Sequence, residues 1–142
     1  HAAARDAEGL GVSICIEPLA PDETDFIRSS HEGMELVRKV GHPNFGLHLD
    51  AKSMQGAREN FDEVFREYGR DLKHFHVGDP GLAPPGSTGM DHRPVGAALR
   101  KAGYGGFVSI EMRRGPGSAE KVIAESVKYV KDCYFSGEGT TS

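Results

Sequence analysis

Strand-like and helix-like patterns alternate along this 142-residue chain, and that alternation limits its fold more than any other feature. Four runs have strand length and composition: residues 12–17 (VSICIE), 45–50 (FGLHLD), 72–77 (LKHFHV) and 107–112 (FVSIEM). Helical patterns with readable ends lie between them. Ser29-Ser-His-Glu32 forms a capping box ahead of Met34, Leu36, Val37 and Val40, and Gly41 and Pro43 stop that helix. Phe61, Val64, Phe65 and Tyr68 predict a helix closed by Gly69, and Val95, Ala98 and Leu99 one closed by Gly103. Val122, Ile123, Val127, Val130 and Tyr134 predict a last helix, capped by Ser118. The opening HAAARDAEGLGV reads as the final turns of a helix closed by Gly9 or Gly11, and so as the continuation of a longer protein. Strands separated by helices pair in parallel through helical crossovers, so the class is α/β.

The loops differ by end. Those entering strands are short and centred on glycine (GHPN, GYGG), whereas those leaving strands are long and rich in Pro, Gly and acids: EPLAPDETD, DAKSMQG, GDPGLAPPGSTGMD and RRGPGS. Parallel α/β folds build their sites from the loops at the carboxyl ends of strands.

Strand side chains alternate between faces. One face collects Val12, Ile14, Ile16, Phe45, Leu47, Leu49, Phe75, Val77, Val108 and Ile110, and is expected to pack on helices. The opposite face carries Ser13, Cys15, Gly46, His48, Leu72, His74, Phe107 and Ser109, and finishes each run with Glu17, Asp50, His76 or Glu111. Three carboxylates in one pocket need a strongly positive partner, because a buried carboxylate is costly unless it is paired or bound to a cation. A divalent metal ion held by Glu17, Asp50, His76 and Glu111 meets that need. Three carboxylates and an imidazole suit Mn²⁺ best, with Mg²⁺, Co²⁺ or Zn²⁺ also admissible. His48 and His74, one pleat below, are expected to support the ligands rather than to bind directly.

Composition narrows the partners. A net charge of −4, with no basic cluster larger than Arg113-Arg114, lacks the footprint of a nucleic-acid binder and points to a small molecule. No apolar run reaches the roughly 18 residues of a membrane helix, and the start lacks a signal peptide's order, so the expected location is the cytoplasm. Cys15 and Cys133 have neither metal-ligand spacing nor disulfide density, and read as reduced thiols. The length fits one domain over 1–142, with 135–142 expected to be a flexible tail.

The motifs SICIEPLAPDETDF, FGLHLDAKSM, FHVGDP and GYGGFVSIEM, in this order, resemble the sugar phosphate isomerase/epimerase superfamily with the xylose isomerase-like barrel, which includes ketose 3-epimerases and hydroxypyruvate isomerase. The resemblance covers nearly the whole chain. It implies a parallel (βα)4 half of a TIM-type barrel, corresponding to strands five to eight. A complete barrel takes about 250 residues, so the chain is expected to be completed by an N-terminal half or by another copy, as a homo-oligomer. It further implies a metal-dependent isomerase or epimerase of a small ketose or related hydroxycarbonyl compound, working through an enediolate. Glu17 and Glu111 would exchange the proton, and Glu23 would contact substrate hydroxyls.

The sequence departs from the family at two places. Ser53 stands where better-known epimerases carry histidine, leaving Lys52 as a substitute polar contact with substrate, and no arginine follows His76 in GDPGLAPP. Asp79 either meets substrate or only sets a turn before Pro80. Asp91 and His92 are expected at the surface, and Arg113 and Arg114 as an exposed pair. Two other readings stay open: a non-catalytic, metal-binding half-barrel, and an endonuclease IV-like nuclease, against which Ser53 and the acidic balance count.

Overall fold

The computed structural model describes residues 1–115 and 117–136. Most of the expected tail, from residue 137, lies outside the described residues. Helix α1 (Ala2–Glu8) leads to β1 (Ile14–Ile16), α2 (Ser30–Val40), β2 (Phe45–Asp50), α3 (Ala51–Gly56), α4 (Phe61–Tyr68) and β3 (Leu72–Val77). A short 3₁₀ turn (Pro80–Leu82), α5 (Arg93–Lys101), β4 (Val108–Ile110) and α6 (Ala119–Tyr134) follow. The strands form one four-stranded sheet in the order β1-β2-β3-β4, each pair parallel. The predicted class and the parallel pairing are what the structure shows. No helix among the described residues is long and apolar enough to cross a membrane.

The two central strands match the expected bounds, while the edge strands are shorter. Val12 belongs to the closure of α1, where its N–H donates to the Ala7 carbonyl, and β1 begins only at Ile14. Local chemistry starts the helices. Ser29, in extended backbone, accepts from the Glu32 N–H through its side chain, and Gly41 ends α2 in the left-handed region at φ 59°. The Glu32 carboxylate closes the box on the Arg28 N–H, one residue earlier than the motif predicts. Asn60 caps α4 in the same manner.

Helix α3 corrects the reading of DAKSMQG as a plain loop. Asp50 is its N-cap, accepting from the N–H groups of Lys52 (2.7 Å) and Ser53 (3.2 Å) through one carboxylate oxygen. The helix therefore starts directly from the last residue of β2.

The core lies between the sheet and the helices on one face. Leu47, Leu49, Phe75 and Val77 pack with Phe65 of α4, Val95 and Leu99 of α5, and Val130 and Tyr134 of α6. Phe75 meets Phe65 edge-on at 5.5 Å and Tyr134 at 5.9 Å between ring centroids. Each such fully buried side chain contributes about 1.5–3 kcal/mol.

One residue breaks the expected alternation. Leu47 pairs with Leu72 but His48 with His74, so Lys73 is the extra residue of a bulge. Leu72 consequently joins the core, contrary to its assignment to the polar face. The stem of Lys73 lies over Gly46, where a Cβ would overlap Lys73 Cγ, so any larger residue there must displace the lysine side chain.

Candidate metal centre

Glu17, Asp50, His76 and Glu111 come together at the carboxyl end of the sheet. Each offers one ligating atom, and these atoms all lie within 4.8 Å of one another. Four chain features place them. Pro18 ends β1 immediately after Glu17. Asp50 is held by its capping bonds to α3, which occupy Oδ1 and leave Oδ2 free. His76 lies opposite Asp50 in the β2–β3 register. Glu111 follows β4, its N–H donating to the Val77 carbonyl at 3.0 Å. Gly78 permits that approach, because a Cβ there would stand 2.6 Å from the Glu111 carbonyl oxygen.

The electrostatics are those of crowded acids. Burial, then the charges of Asp50 and Glu111, push the Glu17 carboxyl up to about 7. Burial raises Asp50 to about 6, against the lowering effect of its capping bonds and of Lys52. Burial also holds His76 below the usual histidine value despite the charge of Glu111, whose Oε2 lies 3.6 Å from His76 Nδ1. His76 Nδ1 and Asp50 Oδ2 are buried and have no hydrogen-bond partner among the described residues. Two buried polar atoms without hydrogen-bond partners, between two further carboxylates, fit a divalent cation, which would satisfy all four at once.

The remaining candidates divide. Lys52, 8% exposed, reaches both oxygens of Glu23 at 3.0 and 2.9 Å, and Glu23 also accepts from the Ala20 N–H. This pair lines a hollow beside the centre with Ala20, Gln55, Pro80 and Gly81. The Lys52 pKa stays raised: burial acts to lower it, but the Glu23 bond and the acids around it prevail. His48 stands closer than a mere lower layer implies, with Nδ1 3.6 Å from Glu17 Oε2 and its ring 4.1 Å from that of His76. Burial, then His76 and His74, depress its pKa to about 3. Arg113 and Arg114 are exposed, as expected.

Asp79 and His92 require correction. Asp79 is buried and turned into its own loop: Oδ1 accepts from the Gly86 N–H and His92 Nε2, and Oδ2 from the Thr88 N–H and hydroxyl. No oxygen is left to meet a substrate. His92, expected at the surface, is fully buried, with Nδ1 2.8 Å from the Tyr134 hydroxyl. The turn-forming GDPG motif carried a signal for the first role, but nothing local announces the second. Asp91 is exposed and pairs with Arg93, as its surface assignment requires.

Comparison with known proteins identifies the family and the fold. A sequence model of the xylose isomerase-like TIM barrel family matches residues 1–133. A D-psicose 3-epimerase of Agrobacterium fabrum is 34% identical over 105 residues, which is 74% of this chain and 36% of that protein. The D-psicose 3-epimerase of Ruminiclostridium cellulolyticum is 32% identical over 108 residues, 76% of this chain and 37% of that protein. Among solved structures, a crystal structure of D-psicose 3-epimerase in the presence of D-fructose superposes with a TM-score of 0.82 at 26% identity, covering 95% of this chain and 54% of that one. The chain thus spans little more than a third of the curated relatives and about half of the solved one.

Proposed function

Since the chain belongs to the xylose isomerase-like TIM barrel family, we propose that it supplies the metal-binding half of an epimerase or isomerase for a small ketose or related hydroxycarbonyl compound. The observation that carries this reading is the convergence of Glu17, Asp50, His76 and Glu111 within 4.8 Å, with Asp50 Oδ2 and His76 Nδ1 buried and unpartnered. These four would hold one divalent ion, with Mn²⁺ the favoured choice for an oxygen-rich set and Mg²⁺, Co²⁺ or Zn²⁺ admissible. When bound, such an ion polarises a carbonyl and acidifies the adjacent C–H.

The protein's own groups do the rest. Glu17 and Glu111 follow the two edge strands, β1 and β4, so in this reading a substrate held at the ion is approached by one glutamate from each edge of the sheet. One glutamate takes the proton from the carbon next to the carbonyl, which leaves an enediolate. The other returns a proton to the opposite face, inverting that carbon, or to the neighbouring carbon, moving the carbonyl. Glu23, fixed by Lys52, is placed to accept from a sugar hydroxyl at the rim.

A second four-stranded unit, from a longer polypeptide or a second copy, completes the barrel in this reading. The edge strands β1 and β4 lack outer neighbours among the described residues, and Val12 and Phe107 beside them are exposed. A cytoplasmic setting accords with Cys15 and Cys133, which are free thiols.

The decisive experiment incubates the protein with Mn²⁺ and a panel of ketoses in D₂O and follows C–H exchange by NMR. Exchange that disappears in Glu17→Gln and in Glu111→Gln supports the reading. No exchange with any ketose, from protein of barrel size that binds Mn²⁺, overturns the catalytic part of it.

A further inference from the structure

Beside the oxygen-rich centre lies a group of ligating atoms that the reaction leaves largely unused. His48, His74 and His76 each present a ring nitrogen within 4.8 Å of the others. Their ring centroids are 4.1 Å apart for His48 and His76, and 5.1 Å for each of the other two pairs. The bulge at Lys73 sets this up, since it brings His74 opposite His48 and His76 opposite Asp50 on the same face. The Nε2 atom of His48 is buried and has no hydrogen-bond partner among the described residues, and Nδ1 of the same ring points toward Glu17.

We propose that His48, His74 and His76 form a second cation site, taking a nitrogen-preferring divalent ion such as Zn²⁺, Ni²⁺ or Cu²⁺ and sharing His76 with the oxygen-rich centre. Ligand type separates the two sites. Carboxylates suit Mg²⁺ and Mn²⁺, whereas imidazoles suit Zn²⁺, Ni²⁺ and Cu²⁺. Three imidazoles with a fourth position open form a complete set of protein ligands for such an ion. Because His76 belongs to both sets, an ion on the histidines either takes the nitrogen that the neighbouring centre uses or, on the other ring nitrogen, places a second dication beside it. A nitrogen-preferring ion therefore weakens Mn²⁺ binding from an adjacent position. The proposal goes beyond the function above and rests on it only for the second role of His76.

The test uses untagged protein and calorimetric titration with Mn²⁺ and with Ni²⁺. Asp50→Asn removes a ligand of the oxygen-rich centre only, and the asparagine can still cap α3. In this variant Mn²⁺ binding should be lost while Ni²⁺ affinity stays within about threefold. Adding His48→Asn should then weaken Ni²⁺ about tenfold or more, since even outer-shell partners of a metal site are worth that much. The Cu²⁺ electron paramagnetic resonance spectrum of Asp50→Asn should show coupling to three imidazole nitrogens, and the double variant to two. The first of these two spectra needs no second variant to fold. Loss of Ni²⁺ together with Mn²⁺ in Asp50→Asn, a loss below threefold on adding His48→Asn, or a Cu²⁺ spectrum without three-nitrogen coupling overturns the proposal. Failure of the unsubstituted protein to bind Mn²⁺ would instead count against the oxygen-rich centre and leaves the Ni²⁺ result to be read by itself.

Discussion

His92 Nε2 lies 2.8 Å from Asp79 Oδ1, and both side chains are fully shielded from solvent. The ring donates to the carboxylate through Nε2, which leaves Nδ1 to accept from the Tyr134 hydroxyl. The pair ties the loop after β3 to the last helix, so the strand that presents His76 is anchored from behind. Removing the ring takes one of four donors from Asp79 and the partner of the buried Tyr134 hydroxyl, at a cost of about 1–3 kcal/mol. Urea unfolding of His92→Leu should show a loss of that size.

The same pair predicts an acid limb. Bonds from Thr88, Gly86 and His92 outweigh burial and hold the Asp79 carboxyl below its ordinary value. A depressed carboxyl contributes stability that is present above its unfolded pKa, about 4, and is lost as the pH falls through the lower folded value. Unfolding followed from pH 5 to pH 2 should show this loss in the unsubstituted protein and a flatter limb in Asp79→Asn.

Glu17 works with the opposite sign. Its folded pKa of about 7 exceeds the unfolded value, so the folded state holds a proton that the unfolded state has released. Its contribution is thus fully present below about pH 4 and is lost as pH rises toward 7. In EDTA, Glu17→Gln should melt above the unsubstituted protein by a margin that grows from pH 5 to pH 8. With Mn²⁺ at pH 8 the order should reverse, because a cation stabilises the deprotonated ligand.

Lys52 bonds Glu23 across the mouth of the site, and Glu23 in turn fixes the Ala20 N–H. Lys52→Met should therefore free the loop after β1. Hydrogen exchange at Ala20 should accelerate about tenfold or more, while global stability changes by only about 1 kcal/mol, because Glu23 can turn to water. Equal acceleration throughout the sheet would show that Lys52 supports the whole fold rather than this loop.

Gly78 stands where β3 and the residue after β4 touch. A methyl group there meets the Glu111 carbonyl oxygen at 2.6 Å and must push the backbone of a proposed ligand aside. Gly78→Ala should cut the rise in melting temperature on adding Mn²⁺ by more than half, although the substituted residue bears no ligand.

Much of this molecule can be read from residues 45–50 and 72–77. Large apolar and polar side chains alternate strictly over 45–50 and from His74 to Val77, both strands lie inside the sheet, and Phe75 and His76 point to opposite faces as pattern alone demands. The helix starts at Ser29 and Asn60 follow from local hydrogen bonding. So does α3, whose signal was an Asp cap before Ala-Lys-Ser-Met-Gln, although a loop reading of DAKSMQG hides it. The edge strands were overestimated because each has one neighbour only, and the backbone leaves the sheet where pairing ends.

By itself, then, the sequence determined the α/β alternation, the apolar face and the four residues at the strand ends, because period, length and capping are local properties. Tertiary structure decided the rest. The pairing of β2 with β3 makes Lys73 an extra residue and moves Leu72 into the core. His92 is drawn inside by partners 13 and 42 residues away, Asp79 and Tyr134. Asp79 turns inward because the N–H groups of Gly86 and Thr88 reach it first. Each of these depends on which distant groups meet in the folded chain, and a buried polar atom is settled by the partner that satisfies it rather than by its neighbours in sequence.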